Sequence, residues 1–577
     1  MRVILLLLAC VHPKPDSGAV ETGSPDTTES TPVDDSTPTT TDPCDSLVWV
    51  DGSRQVDNAR DAESICAAGN AVRGDVDLVD TALTDLQALA CLCAVEGDLV
   101  ISRNEALTSL AGLQGLRSVS GSLTLTDNPL ADLSPLQGLT TVGRLYLVND
   151  VDIDLRSLPS RPSLASLRLG GPHIRTLEGA EWITDLSGDL ILSETLVSDL
   201  TPLAGLTRVG GLLELDENSA IATLDGLGGL TEVTDLTVTD NAVLGGLSGL
   251  DGLRTIPGDV VIAQNSSLVD LEGLGALTAI GGLLDVSSNN AMTSLNGLGT
   301  LDVGTLGIGY NDALTSLAGL EAVTVRDEVG IVDNPALESL VGFGPTTDLT
   351  RSLNVSTNPA LQSLVGLDRI RTVGLVLFIH ENHLLEDLTG LGGIVEVTGD
   401  ANIENNDGLH SLSGLDALTV VGSGFAVAGN DALESLAGCP PLEHVTNYVR
   451  VYDNAALLSL DGMPPLPTLG GLDVYLNPVL PDLTGVEEMT AVDLRLYIGN
   501  NDLLYSLDGL DGFRTIGVDL QLSENPTLAD VTALYGLESI LRDVLITNNA
   551  SLATADAEAL VAEIETVGGA VTISGNQ

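Results

Sequence analysis

One hydrophobic phrase recurs down almost the whole chain: an apolar residue, a spacer, a second apolar residue, two more residues, then Asn. Leu99-Val100-Ile101 leads to Asn104, and Leu123-Thr124-Leu125 leads to Asn128. The series continues through Asn218, Asn241, Asn265, Asn289, Asn311, Asn334, Asn358, Asn382, Asn406, Asn430, Asn454, Asn477, Asn501, Asn525 and Asn549 to Asn576. Anchors lie 22 to 24 residues apart, with 27 at the last step, and four degenerate copies at Thr81, Asp150, Pro172 and Thr195 bring the number of copies to 22. Such a period predicts a β solenoid, a parallel β-helix of about 22 coils, because each copy buries its apolar face only by stacking on its neighbours.

Within a copy, the alternation predicts a short strand with two side chains pointing inward. Beyond the Asn, apolar residues recur every third position, as in Leu107, Leu110, Leu113, Leu116 and Val119, or Leu268, Leu271, Leu274, Leu277 and Ile280. A period of three suits neither an α-helix nor a long strand; it predicts a chain wound around a core through short extended or 3₁₀ pieces. The asparagines are read as a structural ladder whose amides bond turn backbone of their own and adjacent coils. From Thr554 to Val567 the repeat gives way to Leu560, Ile564 and Val567 at helical spacing, which predicts a C-terminal capping helix before a last strand at Val571 to Gly575. At about 4.8 Å per strand the coils would build a rod or arc on the order of 100 Å long.

Ahead of the repeats the composition changes twice. Residues 44 to 73 are non-repetitive, with a short helix expected around Asn58 to Cys66, and are placed to cap the first open coil. Residues 10 to 43 are dominated by Ser, Thr, Pro, Asp and Glu, which cannot bury enough surface to fold, and predict a flexible tether reaching on the order of 30 Å. At the start, Met1-Arg2 and the run Val3 to Ala9 form a positive and then apolar segment too short to span a bilayer, and residues 1 to 9 are read as a signal peptide. Leu7-Leu8-Ala9-Cys10 resembles the lipobox of bacterial lipoproteins, which implies cleavage before Cys10, lipidation there and a cell-envelope location. Val11, in place of the Asp that holds many such proteins at an inner membrane, implies the outer membrane and the cell surface. The other reading is an ordinary secretory signal.

Charge removes one class of function. With 81 acidic and 22 basic residues, net charge −59, the surface repels nucleic acid phosphates and anionic lipid head groups. Nucleic acid is excluded as a partner, and the lipid is expected to be the membrane contact.

Asp132-Leu133-Ser134-Pro135-Leu136 and Asp199-Leu200-Thr201-Pro202-Leu203 resemble the leucine-rich repeats of bacterial internalins. The strand, Asn and Leu-x-x-Leu-x-Gly-Leu order, as in Leu107 to Leu113, is closer to the receptor L-domain of the insulin and epidermal growth factor receptors. The resemblance spans residues 74 to 577 and implies a right-handed solenoid that binds an extracellular protein or glycan on its strand face. It implies no enzyme activity.

Candidate chemistry is sparse. Cys44, Cys66, Cys91 and Cys93 are disulfide candidates at the N-terminal end; four cysteines allow three pairings, of which Cys44 with Cys66 is favoured. Cys439 occupies a core Leu position and is read as an inert buried thiol. His380-Glu381-Asn382-His383 is one residue too short for a zincin motif, and neither a metal nor a cofactor is expected. The outward strand positions carry scattered acids, Glu214, Asp216, Asp285 and Glu404, without a recognisable nucleophile and base. One local bias stands out: five of eight tyrosines fall between Tyr448 and Tyr505. Tyr452, Tyr475 and Tyr497 project from the strand face, accompanied by Arg450 and Arg495, and form a candidate ligand-binding patch or a purely stabilising ladder. The expectation is a lipid-anchored recognition or adhesion protein. The alternatives are a β-helical polysaccharide lyase or hydrolase and a passive envelope spacer.

Overall fold

The computed structural model describes residues 42–148, 151–153, 155–158 and 162–577. The signal segment, Cys10, most of the tether and the anchor Asp150 lie outside the described residues. The chain winds into a parallel β-solenoid of about 22 turns. Its main sheet has 28 strands, and two five-stranded sheets of two-residue strands stack beside it. Equivalent positions pair directly from coil to coil: Leu353 with Leu377, Leu377 with Ala401, Ala401 with Phe425 and Phe425 with Val449. That register puts every inward side chain on its counterpart in the next coil, so the core is one continuous column.

The period of three has a simple cause. Leu107 N–H donates to the Asn104 carbonyl at 2.9 Å, Leu113 to Leu110 at 3.0 Å and Leu116 to Leu113 at 3.0 Å. These three steps are single turns closed over three residues, whereas the second leucine of a coil donates to the next coil, as Leu271 does to the Asn296 carbonyl at 2.7 Å; Leu107, Leu110, Leu113 and Leu116 are all fully buried. Among the described residues five turns extend into short 3₁₀ helices, and two of these, Ser134–Leu136 and Thr201–Leu203, have a proline near the start.

The asparagines bond as a continuous chain. The Oδ1 of Asn241 accepts the Asn218 backbone N–H at 3.1 Å, while its Nδ2 donates to the Leu215 carbonyl of the previous coil and to the Thr239 carbonyl of its own, both at 2.8 Å. The same N–H to Oδ1 step links every anchor from Thr195 to Asn576. Thr81 and Thr195 begin stretches of the ladder: each gives its backbone N–H and its hydroxyl to the next Asn. Pro172 is exposed and, lacking both an amide side chain and an N–H, cannot take part.

Two features of the coil have weak sequence signals. Among the described residues the one before each anchor is left-handed, from Asp80 at φ 56° through Tyr310 at 57° and Leu476 at 59° to Asn548 at 59°. Side chains there are strained individually, and the anchored Asn after each one holds the turn in place. At the opposite corner aspartates form a second ladder: Asp75 Oδ1 accepts the Asp98 N–H at 2.9 Å, and Asp98 Oδ1 accepts that of Ser122 at 2.6 Å. Asp235, Asp259, Asp400, Asp519 and Asp543 repeat the contact.

At the N-terminal end, helix α1 (Ala59–Ala68) begins at Asn58, whose side chain accepts the Arg60 and Asp61 N–H groups, and buries Ala62 and Ile65. The disulfides correct the favoured pairing: Cys44 is bonded to Cys93 and Cys66 to Cys91. Cys44 lies beside the Gly115 carbonyl of the next coil, whereas Cys66 faces the turn at Ala88, so each meets a different member of the Cys91-x-Cys93 pair. Asp42 is tied to Arg117 at 2.9 Å and the Pro43 carbonyl to Asn70 at 2.8 Å, which fixes the last residues of the expected tether onto the first coils. Helix α2 spans Thr554–Glu563, and Thr566–Val567 is a strand instead of its last turn. The final strand, Val571–Ser574, pairs with Val544–Thr547 on one edge and is largely exposed. Among the described residues no helix is long and apolar enough to cross a membrane.

Candidate functional site

Six consecutive strands carry the side chains singled out above: β1 (Val376–His380), β2 (Asp400–Glu404), β3 (Phe425–Ala428), β4 (Tyr448–Tyr452), β5 (Gly471–Tyr475) and β6 (Leu496–Gly499). Their register fixes two outward columns. Phe378, Asn402, Ala426, Arg450, Asp473 and Tyr497 form one; His380, Glu404, Ala428, Tyr452, Tyr475 and Gly499 form the other.

The three tyrosines come together. Tyr452 and Tyr475 stack at 4.7 Å between ring centroids with 3° between planes, and Tyr497 follows at 5.5 Å and 32°. All three are half-buried, not fully displayed, because the neighbouring positions are small. Tyr497 lies over Gly499, and Tyr448 lies across Gly471, where a Cβ would come within 2.5 Å of its ring.

The arginines are held from below by a residue the sequence reading passed over. Asp473, 1% exposed, takes the Arg450 Nε at 3.3 Å and both the Nε and Nη2 of Arg495, at 3.1 and 2.8 Å. Its carboxylate raises the Arg495 pKa through those bonds. Both guanidinium groups also lie over Tyr448, at 4.8 and 5.9 Å, and that of Arg495 sits 5.1 Å from Tyr497. Asp473 and Tyr448 become legible only once the 23-residue step places them between Arg450, Arg495 and Tyr497.

Tyr452 has the most perturbed phenol of the patch, pushed up to about 12 by burial and then by the negative charge of Glu404. Tyr475 is raised by burial, with Arg450 opposing. Because the folded value of Tyr452 lies above the ordinary 10.0, its stabilising contribution is fully present below pH 10 and is lost as pH rises toward 12. An ultraviolet phenolate titration of wild type against Tyr452→Phe is expected to show the missing group ionising near pH 12; a difference centred at 10 would refute it.

Around the corner from the tyrosines lies an apolar shoulder without a signal in the strand pattern. Leu458, Pro481 and Tyr505 occupy equivalent places four residues after successive anchors, and Leu458, Leu476, Leu503 and Tyr505 are each 44 to 61% exposed. They adjoin the aromatic row through Leu476, which follows Tyr475 directly.

The other candidates disperse. His380 stacks on Phe378 at 4.9 Å and approaches Glu381 at 3.3 Å, whereas His383 turns to Asp407 at 3.0 Å. Among the described residues no three His, Cys, Asp or Glu side chains converge as metal ligands would. Cys439 is half-buried against the core, and its desolvated thiol is pushed up to about 12. Glu214 is raised by burial and by Asp216 on the same strand, and Asp285 by burial while it accepts from Ser287. No known protein-family model matches the chain, and no curated protein is significantly similar to it.

Proposed function

We propose that the chain is a lipid-anchored cell-surface recognition or adhesion protein that binds an extracellular protein or glycan through its strand face. The observation that carries this is the concentration of Tyr448, Tyr452, Tyr475 and Tyr497 with two aspartate-held guanidinium groups beside an exposed apolar shoulder, on a strand face where aromatic and basic residues elsewhere are scattered, as at Tyr146, Arg168 and Phe378. Aromatic and arginine side chains of this kind dominate binding hot spots. Asp473 fixes the arginines in place, which lowers the entropy lost on capture. The leucine-rich-repeat and L-domain likeness of the coils supports the same use of the strand face.

The triple change Tyr452→Ser, Tyr475→Ser and Tyr497→Ser tests the patch against purified surface proteins and an immobilised glycan panel. Capture is expected to fall to background with the far-ultraviolet spectrum intact, since these side chains lie outside the core. A variant that melts earlier yet captures every ligand would leave the row as a stabilising ladder only. For the anchor, Cys10→Ala is expected to release the protein from membranes, because the acidic body has no other affinity for lipid. Equal retention of mutant and wild type after a salt wash refutes lipidation at Cys10.

A further inference from the structure

Beside the tyrosine row, one coil toward the N-terminus, the strand face drops into an open trough of about 360 Å³ lined by Asp400, Asn402, Glu404, Ala426, Arg450 and Tyr452. Its floor is β3, where the outward residues are Gly424, Ala426 and Ala428; its walls are the outward side chains of β2 on one side and β4 on the other. The walls stand two strand spacings apart, about 9.6 Å between backbones, which admits a single ring or an extended chain and is too narrow for a helix. Ala426 points outward yet is only 8% exposed, because the walls shade it.

The polar groups on the walls are of mixed type. On β2, Asp400 accepts the Gly424 N–H with one oxygen at 2.8 Å, and Glu404 lines the same trough as Tyr452, whose phenol pKa its charge raises. Asn402, set between these carboxylates, has no side-chain partner among the described residues and offers both donor and acceptor. Across the floor stand the Arg450 guanidinium and the Tyr448 and Tyr452 phenols, and the Asn447 amide closes one end against the Ser423 hydroxyl at 3.1 Å. An anion placed here would face Asp400 and Glu404. A cation would face Arg450. A neutral ligand whose hydroxyls alternate as donors and acceptors around an aliphatic ring face meets the walls and the Ala426 methyl together, at the small end of ordinary ligand sites.

We propose that the trough over β3 binds a neutral saccharide, with Asn402 and the two carboxylates taking its hydroxyls, Ala426 carrying its C–H face, and Tyr452 and Arg450 forming the far wall. The proposal rests on the recognition reading above and names the ligand class for one part of that face. Calorimetric titration of the full chain in mild detergent with neutral cello- and chito-oligosaccharides, an acidic oligogalacturonate and an oligolysine peptide tests it. A neutral oligosaccharide is expected to bind, and Ala426→Leu, which fills the trough while leaving every tyrosine of the row in place, is expected to weaken it at least about tenfold. Asn402→Ala is expected to weaken the same ligand while leaving the melting temperature unchanged. Binding confined to oligogalacturonate or oligolysine overturns the proposal, as does neutral binding unaffected by Ala426→Leu. If no saccharide binds but protein capture through the tyrosines persists, the trough proposal falls and the recognition reading stands; if neither occurs, both fall.

Discussion

Replacing Asn430 by Ala is expected to cost about 3 kcal/mol, because one deletion strands a buried donor and a buried acceptor at once. The Asn430 Oδ1 receives the Asn406 backbone N–H at 3.0 Å and its side-chain Nδ2 at 3.3 Å, while the Asn430 Nδ2 serves the Ile403 carbonyl at 2.9 Å. All of this lies out of reach of water, with both asparagines fully buried. Alanine at that point leaves the Asn406 N–H and the Ile403 carbonyl without partners, while the Asn406 Nδ2 keeps the Ile379 and Glu404 carbonyls, and the coil is too tightly stacked for water to replace what is lost. Because each coil touches only its neighbours, the loss is local, and denaturant unfolding of Asn430→Ala is expected to split into two transitions where wild type shows one. Asn576→Ala supplies the contrast. It makes the same bonds to Asn549 and Ile546 at a partly buried end, and is expected to cost under about 1 kcal/mol. Equal losses at the two sites would mean that the ladder is not what holds the coils.

A larger loss is expected from Gly390→Val. Gly390 has φ of +119°, and a Cβ there would lie 2.1 Å from both the carbon and the oxygen of the Leu364 carbonyl. Strain at that φ and collision with backbone of the preceding coil act together, and neither yields to a side-chain rotation. We expect destabilisation above about 4 kcal/mol, enough to lower the yield of folded protein. Gly246→Ala is the control, since nothing lies within 4 Å of its added Cβ, and it should stay within about 0.5 kcal/mol of wild type. Thermal melting of the two variants checks both expectations; a Gly390→Val protein that melts with wild type would remove the close-approach argument.

The architecture was open to reading because a solenoid writes its geometry repeatedly. Leu107, Leu110 and Leu113 are inward for the same reason as Leu268, Leu271 and Leu274, so the period carries the coil even where an anchor degenerates to Thr81 or Thr195. What escaped was whatever depends on neighbours about 23 residues away without a conserved letter. The left-handed position holds Asp80, Tyr310 and Leu476, which share no chemistry, because the backbone is constrained there and the side chain is not. The aspartate ladder follows a Gly-Asp corner at Asp98, Asp189, Asp259 and Asp400, a signal present in the chain and overlooked. Disulfide pairing turned on which face of the first coil each cysteine met, which spacing alone does not encode. In the tyrosine patch the row was visible from equivalent positions. Asp473, the buried acid that pairs with both arginines, was hidden by an overall excess of acids in which no single one stands out.

The absence of an amide at Pro172 has a mechanical consequence. From Thr195 to Asn576 every coil is clipped to the next by bonds pointing the same way along the axis, so a load pulling coils apart is shared among repeated, equivalent links. At Pro172 that clip is lacking, and the strand at Ser163–Gly170 is held to its neighbours by sheet bonds, core contact and side-chain bonds such as that from the Asp189 N–H to the Ser166 hydroxyl at 2.9 Å. A load pulling the N-terminal coils away from the rest of the body is therefore expected to open the solenoid at this coil first, before the stretch that carries Tyr475 is disturbed.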